Sequence, residues 1–564
     1  MNYLDRYNFW CNAGLPEDVM AELRSISDND EELKGRFGSD LQFGTAGMRG
    51  VMGAGSNRLN RYTVRRAAQG MAAWLNSTEL PKKAAIGYDS RHNSQLFAEV
   101  CAVAFAEAGI EVHLYDRLAP TPMLSYAVRE LNCGCGIVIS ASHNSGIYNG
   151  VKCYGPDGCQ MTDEPAAIVT SMIEKIPFFV PEVKSFDAYM AEGLIHYIPQ
   201  SLWDSYYTTV LNEAVDPDMV RGADLHVVYT PLCGTGNEPV RHILKDLNVN
   251  VHIVSCQEKP DGDFKTCEYP NPETDAALNE SYKVAKEVPC DVILGTDPDA
   301  DRVAIAVPDG NGYKKLSGNE LGCLLLDYIL KARSTKNDIP EGAIAVRSIV
   351  SSPLADKIAA HYGVTMKTVL TGFKYIGGEI LALEEKGEEH KYIFGFEESC
   401  GYLKGTYARD KDAIVASMLV CELAASLKKE GRTILDALKE VYDTYGIYLA
   451  YVQSLELTGA DAMEKAANLM ANLRSNIPAN IGGATVTSVK DYLAREETNV
   501  QTGEKTAISL PKSNVLEFIL GQHGSVIARP SGTEPKVKFY YTAVAPTAAE
   551  AQALLAAMKK QMSN

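Results

Sequence analysis

A hydroxyl beside an imidazole closes the apolar run Gly136-Ile137-Val138-Ile139, which continues as Ser140-Ala141-Ser142-His143-Asn144. The carboxyl end of a buried strand is where α/β proteins present reactive groups. Three more apolar runs end in polar loops. Asp291-Val292-Ile293-Leu294 leads to Asp297-Pro298-Asp299-Ala300-Asp301-Arg302, Lys391-Tyr392-Ile393-Phe394 leads to Glu397-Glu398-Ser399, and Ser525-Val526-Ile527-Ala528 leads to Arg529-Pro530-Ser531-Gly532-Thr533. A hydroxyl nucleophile, a three-carboxylate loop, a loop suited to sugar hydroxyls and an anion cradle together imply phosphoryl transfer on a polyol.

Each loop has a plainer reading. Ser140, Ser142 and Asn144 could close a turn and cap a helix, and Ser142 does not stand in G-x-S-x-G, which disfavours a hydrolase elbow. Alternating Asp297, Asp299 and Asp301 aim three hard oxygens at one point, which suits Mg²⁺ or Ca²⁺. A calcium-sensor loop would need Gly at its sixth position and Glu at its twelfth, where this chain has Arg302 and Pro308. An aspartyl nucleophile is conceivable from D-x-D alone, but it leaves the other loops unexplained. Arg529, two hydroxyls and backbone amides offer a phosphate nest, the plainer reading being an ordinary turn. Glu397 and Ser399 offer an acceptor pair for sugar hydroxyls, the plainer reading being a strand-end turn.

The elements that must carry these loops alternate. Residues 84–88 and 111–114 read as strands, and 96–108 and 123–131 as helices with apolar spacing, before the strand into Ser142. The rhythm restarts at Leu225-His226-Val227-Val228-Tyr229 and again at Ala343-Ile344-Ala345-Val346. This predicts three similar mixed α/β domains with largely parallel sheets. From about Gly446 the pattern becomes a smaller C-terminal α+β domain, with a strand over 448–455, a helix over 460–473, strands around Val486, Val515 and Val537, and a last helix over 548–562. The expected divisions are 1–200, with an N-terminal arm that is helical over 15–35, then 201–315, 316–447 and 448–564.

Bulk properties narrow the class. The chain has 564 residues, enough for about three or four domains. A formal charge of −18 argues against nucleic-acid or anionic-membrane partners. The first residues show no basic leader before an apolar core, and no apolar run reaches membrane-spanning length. With 13 cysteines, the expectation is reduced thiols in the cytoplasm. Cys133-Gly134-Cys135 is too tight for a zinc knuckle and reads as core.

Taken together these residues resemble the α-D-phosphohexomutase superfamily. The likeness runs from Phe43 to Lys538 through Phe43-Gly44-Thr45-Ala46-Gly47-Met48-Arg49-Gly50, Gly87-Tyr88-Asp89-Ser90-Arg91, Thr371-Gly372-Phe373-Lys374, Arg409-Asp410-Lys411-Asp412 and the four loops above. The Phe-Glu-Glu-Ser and Thr-Gly-Phe-Lys forms look most like the phosphoglucomutase/phosphopentomutase branch. The resemblance implies an active site in a central cleft and a phosphoserine at Ser142. It implies Mg²⁺ on Asp297, Asp299, Asp301 and a phosphate oxygen of Ser142, and glucose 1,6-bisphosphate as intermediate and activator. Arg49, His143 and Lys152 would stabilise charge or move protons, with Lys152 the best candidate for the general base because nearby cations are expected to drive it toward neutrality. Arg302, Thr371, Gly372, Lys374, Glu397, Ser399, Lys411, Arg529, Ser531, Gly532 and Thr533 would bind the phosphosugar. The expected activity interconverts glucose 1-phosphate and glucose 6-phosphate, the alternatives being a mannose or pentose phosphate mutase and a metal-dependent sugar phosphatase. A monomer or homodimer is expected. Three departures stand out: Ser140 where relatives carry Thr, Cys233 where they usually carry His, and Pro298 where Gly is common, which should stiffen the acidic turn.

Overall fold

The computed structural model describes residues 2–44, 46–458, 462–531 and 536–562. Its contacts divide the chain into two compact units. The first holds residues 1–317, 376–394 and 399–431, and the second 318–375, 395–398 and 432–564.

In the first unit, strands β1 (Gly47–Val51), β2 (Lys83–Tyr88), β3 (Glu111–Leu114), β4 (Cys135–Ile139), β5 (Tyr148–Tyr154) and β6 (Ile195–Tyr197) form a sheet in the order β1-β5-β4-β2-β3-β6. Its centre is parallel, with β2 between β3 and β4. β5 then runs antiparallel to β4, and β1 antiparallel to β5. β4 is buried at every position, which is why it reads as a continuous apolar run. A second sheet repeats the device with β7 (His226–Thr230), β8 (Asn250–Ile253), β9 (Val292–Thr296), β10 (Val303–Pro308) and β11 (Tyr313–Lys315), ordered β11-β10-β9-β7-β8. Strands β7, β8 and β9 are parallel and β10 returns antiparallel on β9. In both sheets the loop rich in chemical groups is the turn from a central parallel strand to an antiparallel neighbour. The expected parallel character therefore holds at the centres and fails at the strands that follow the loops.

In the second unit β12 (Ile344–Ser348) pairs in parallel with β13 (Thr365–Val369). Beyond Gly446 a seven-stranded antiparallel sheet forms, including strands Ile447–Glu456, Gly524–Pro530 and Lys536–Ala545. Helices Ala462–Ser475 and Ala548–Met562 cover it through Ala466, Met470 and Met558. A separate apolar cluster joins Ile349, Val350 and Leu370, which follow β12 and β13, to Tyr492, Val515, Ile527 and Tyr540 of the C-terminal sheet.

The N-terminal arm is more structured than its sequence suggests. Helices Tyr3–Cys11, Glu17–Ser25 and Asp30–Phe37 close on Trp10 and Phe37, with Tyr62, Phe178 and Phe179 packed against them. Asn2 and Asn29 cap the first and third. Cys133 and Cys135 are buried in the core, as expected. Among the described residues no helix is long and apolar enough to cross a membrane.

Candidate active site

Ser142 lies just past β4 with φ +51°, a left-handed conformation that costs a non-glycine residue energy. The loop is held there by partners. Ser142 N–H donates to Ser140 Oγ at 2.8 Å, so the hydroxyl at position 140 fixes the turn. Arg91 is buried and donates to the carbonyls of Ser142 (2.6 Å), Ser145 (2.7 Å) and Tyr148 (3.0 Å), and also to that of Asn144. Arg91 is in turn backed by Asp89 at 3.3 Å. The Gly-Tyr-Asp-Ser-Arg stretch is thus a clamp on the serine loop, a role its sequence did not disclose because the contacts join segments far apart in the chain. Arg49 donates to Asn144 Oδ1 at 3.1 Å.

Ser142 Oγ–H donates to Asp297 Oδ2 at 2.6 Å and lies 3.2 Å from His143 Nδ1. Asp297, Asp299 and Asp301 follow β9 and are all buried. They can each place a carboxylate oxygen within 4.8 Å of the others, and among the described residues they are the one group of three or more such side chains that could hold a metal. Among the described residues Asp299 Oδ1 and Asp301 Oδ1 are buried without a hydrogen-bond partner, Asp301 Oδ1 lying 3.6 Å from Arg302 Nε, which fits oxygens able to take a cation. Thr121 begins a helix and donates twice to Asp299, from its N–H to the carbonyl and from Oγ1 to Oδ2, each at 2.9 Å. The backbone at Pro298 packs closely against Gly234. A Cβ added to Gly234 would fall 2.4 Å from Pro298 Cα, so only glycine permits the approach. Cys233 sits beside that contact, buried and at φ +59°.

The charges balance closely. Lys152, on β5, pairs with Asp299 and, at 3.2 Å, with Asp301. Lys411 reaches Asp301 at 3.2 Å. Burial and the charges of Asp299 and Asp301 push Asp297 well above the usual carboxylate range. Burial works against ionised Asp301 too, but Lys152 and Lys411 outweigh it and hold Asp301 low. Burial would lower Lys152, yet Asp299 and Asp301 reverse the sign and raise it. Lys152 is therefore charged, contrary to the expectation that cations drive it neutral: the nearest charges are carboxylates. His143 is held well below its ordinary value by burial and by Arg302 and Arg49, so its imidazole is neutral. Arg302 pairs with Glu273 at 2.7 Å, and its backbone N–H donates to Asp297 Oδ1 at 3.0 Å. The carbonyl of Cys400, next to Ser399, accepts from Val303 N–H at 3.1 Å and so ties that turn to the strand after the acidic loop.

The second unit gathers other candidates. Gly372, at φ +119°, donates its N–H to Glu397 Oε1 at 2.8 Å, and any side chain at 372 would be strained. Thr371 Oγ1 is buried without a hydrogen-bond partner among the described residues. Lys374 lies over the Tyr375 ring at 5.0 Å. Tyr540, which sequence reasoning missed, is raised by burial and by the charge of Glu398, with Glu397 adding to it, while Arg529 nearby pulls the other way. Its phenol thus faces both the acidic and the basic candidate of this unit. Ser531 N–H donates to Lys536 O at 2.8 Å. Gly532 and Thr533 lie outside the described residues.

Four family profiles match in chain order: phosphoglucomutase/phosphomannomutase alpha/beta/alpha domain I over residues 40–179, domain II over 204–310, domain III over 317–445 and the C-terminal domain over 485–561. A phosphoglucomutase of Staphylococcus epidermidis is 37% identical over 537 residues, 94% of this chain and 96% of that protein. Among solved structures, a putative phosphomannomutase from Thermus thermophilus shares the fold with TM-score 0.69 and 23% identity, over 93% of this chain and all of that one. The N-acetylphosphoglucosamine mutase of Aspergillus fumigatus, solved with GlcNAc-6P and magnesium, matches with TM-score 0.52 and 15% identity over 93% of this chain and 96% of that one.

Proposed function

The chain belongs to the phosphoglucomutase/phosphomannomutase family, and from that membership we propose that it interconverts glucose 1-phosphate and glucose 6-phosphate through a phosphoserine. The observation that carries the reading is the 2.6 Å contact between Ser142 Oγ and the first carboxylate of the acidic triad, made from a strained backbone. A pure sugar-phosphate binder needs neither group.

With phosphate on Ser142, the bond from Oγ to phosphorus breaks as the sugar's 6-hydroxyl oxygen bonds to phosphorus. The sugar hydroxyl gives its proton to a base while the departing Ser142 Oγ takes one up; the bisphosphate then turns over, and Ser142 Oγ loses its proton as it bonds to the 1-phosphorus and the freed C1 oxygen is protonated. Neutral His143, beside Ser142 Oγ, is suited to accept a proton at Nδ1. Charged Lys152 is suited to balance the transferring group. Asp297, Asp299, Asp301 and the Ser142 phosphate would hold Mg²⁺, which when bound draws charge from the phosphoryl oxygens. Arg302, Thr371, Gly372, Lys374, Lys411, Glu397 and Ser399 would hold the sugar and its hydroxyls, and Arg529, Ser531, Gly532 and Thr533 the phosphate that is not reacting. The four-part division at 200, 315 and 447 belongs to this proposal, as do a cytoplasmic setting and a monomer or homodimer.

The test is a coupled assay of glucose, mannose and ribose 1-phosphates with inorganic phosphate measured in parallel. The expected result is fastest turnover of glucose 1-phosphate without net phosphate release. A preference for mannose or ribose would move the chain to another branch. Phosphate release at the rate of isomerisation would make it a phosphatase.

A further inference from the structure

Arg409-Asp410-Lys411-Asp412 contains a carboxylate to which the reaction gives no task. Asp410 is buried and engaged through both oxygens. Its Oδ2 accepts from Tyr154 Oη–H at 2.8 Å and from Gln160 Nε2 at 3.1 Å, while its Oδ1 accepts from Lys411 N–H at 2.8 Å and from Lys411 Nζ at 2.9 Å. The same ammonium lies 3.2 Å from Asp301 Oδ2, an oxygen that Lys152 also approaches at 3.2 Å. Lys152 and Tyr154 are two residues apart on β5 and so share a face. A closed circuit results, in which β5 sends Lys152 to the triad and Tyr154 to Asp410, and Lys411 bridges the two acids.

We propose that Asp410 is a positioning residue that shares the Lys411 ammonium with Asp301, limits its hold on that carboxylate, and thereby leaves Asp301 able to take a divalent cation. The inference rests on the reading of the triad as a metal site. The argument is electrostatic. Asp301 is buried and faces two ammonium groups, and any cation that binds there competes with them. Asp410 takes a share of the second ammonium with an acid that is not a ligand, and Tyr154 and Gln160 keep that acid aimed. Without the charge of Asp410, the pull on the Lys411 ammonium tips toward Asp301. Asp410 touches neither substrate nor metal in this role and acts through Lys411.

The experiment is Mn²⁺ binding, followed by electron paramagnetic resonance and calorimetry, on the full-length wild type and on Asp410→Asn, Tyr154→Phe, Lys411→Gln and the Asp410→Asn/Lys411→Gln double variant. The triad's share of binding is defined as that lost in Asp297→Asn. Asp410→Asn should weaken that share by about threefold to tenfold, as expected when one unit charge shifts by a few ångströms in a partly desolvated site. Tyr154→Phe should weaken it less, and Lys411→Gln should bind at least as tightly as wild type. The decisive arm is the double variant, which should recover the affinity of Lys411→Gln, because the Lys411 ammonium is no longer there to compete. A structural defect would persist in the double variant. Unchanged affinity in Asp410→Asn, or a loss that Lys411→Gln does not rescue, would overturn the inference while leaving the triad as a metal site. Wild type without triad-dependent Mn²⁺ would overturn both.

Discussion

At the scale of single residues, the site depends on Ser142 being where a serine prefers not to be. Its positive φ is maintained by Ser140 and Arg91, and the hydroxyl is delivered to Asp297. Ser142→Ala should leave the fold intact, since the clamp uses backbone groups, and should reduce turnover to below a few per cent, the residual rate typical when a covalent nucleophile is lost. Intact-mass measurement should find a phosphate adduct on the wild type that this variant lacks. Asp299→Asn should weaken metal binding and slow transfer, because it removes one charge from three while keeping the Thr121 bonds available. Enzyme stripped with EDTA should be inactive and recover with Mg²⁺; full activity after stripping would make the acidic loop structural. Ser142 and the acidic triad stood out in the sequence because an apolar run ending in polar residues marks a strand end, and the structure brings them together. The clamping role of Arg91, which stands in a recognisable motif, and the place of Tyr540 are not legible there, because both depend on partners distant in sequence. The charge of Lys152 departs from expectation for a related reason: the motifs name its cationic neighbours, whereas in the fold two carboxylates stand closer.

At the scale of elements, helices and strands emerged close to their expected bounds wherever apolar spacing was regular, and the helix over 548–562 emerged at its expected ends. The antiparallel strands β5 and β10 carried no sign of their direction, since direction follows from which neighbour a strand meets. The three N-terminal helices were read as an arm because their shared cluster recruits Phe178 and Phe179 from far along the chain. One element carries a further expectation. Helix Ala413–Lys429 buries Glu422, whose carboxylate accepts from Val215 N–H at 3.0 Å and Asp216 N–H at 2.9 Å. Burial pushes Glu422 up to about 7 against these bonds. The folded state therefore holds this proton more tightly than the unfolded chain does. Stability from Glu422 is full below about 4.5 and is lost as pH rises toward 7, by about 3 kcal/mol at most. Glu422→Gln keeps an acceptor and removes the titration. Thermal melts across pH 4.5 to 8 should show the wild type losing ground to Glu422→Gln as pH rises; parallel curves would mean that Glu422 titrates as an ordinary exposed glutamate.

At the scale of the whole molecule, the alternation of strands and helices foretold the α/β plan and the change of pattern near Gly446 foretold a C-terminal α+β part, whose sheet proves antiparallel. What periodicity does not disclose is how segments are shared. Neither compact unit is an uninterrupted length of chain: the boundary is crossed after Ser317, Tyr375, Phe394, Glu398 and Gly431. Asp301 depends on Lys411, and the Val215 turn depends on Glu422, both contributed by residues 399–431. This arrangement has a consequence for biosynthesis. The ribosome releases the acidic triad together with Thr121, Ser142 and Lys152 but well before Lys411, so one of the two ammonium groups beside Asp301, and the Glu422 partner of the Val215 turn, are missing during elongation. A fragment ending at Ser317 should accordingly be rapidly digested by protease and lack a cooperative melt, whereas one ending at Gly431 should recover protection across the first unit. A protected, cooperatively melting fragment 1–317 would show that the later segment is dispensable. The hazard period in the life of this protein is then its own translation, and slower decoding between codons 317 and 431 should lower its soluble yield more than slower decoding after 431.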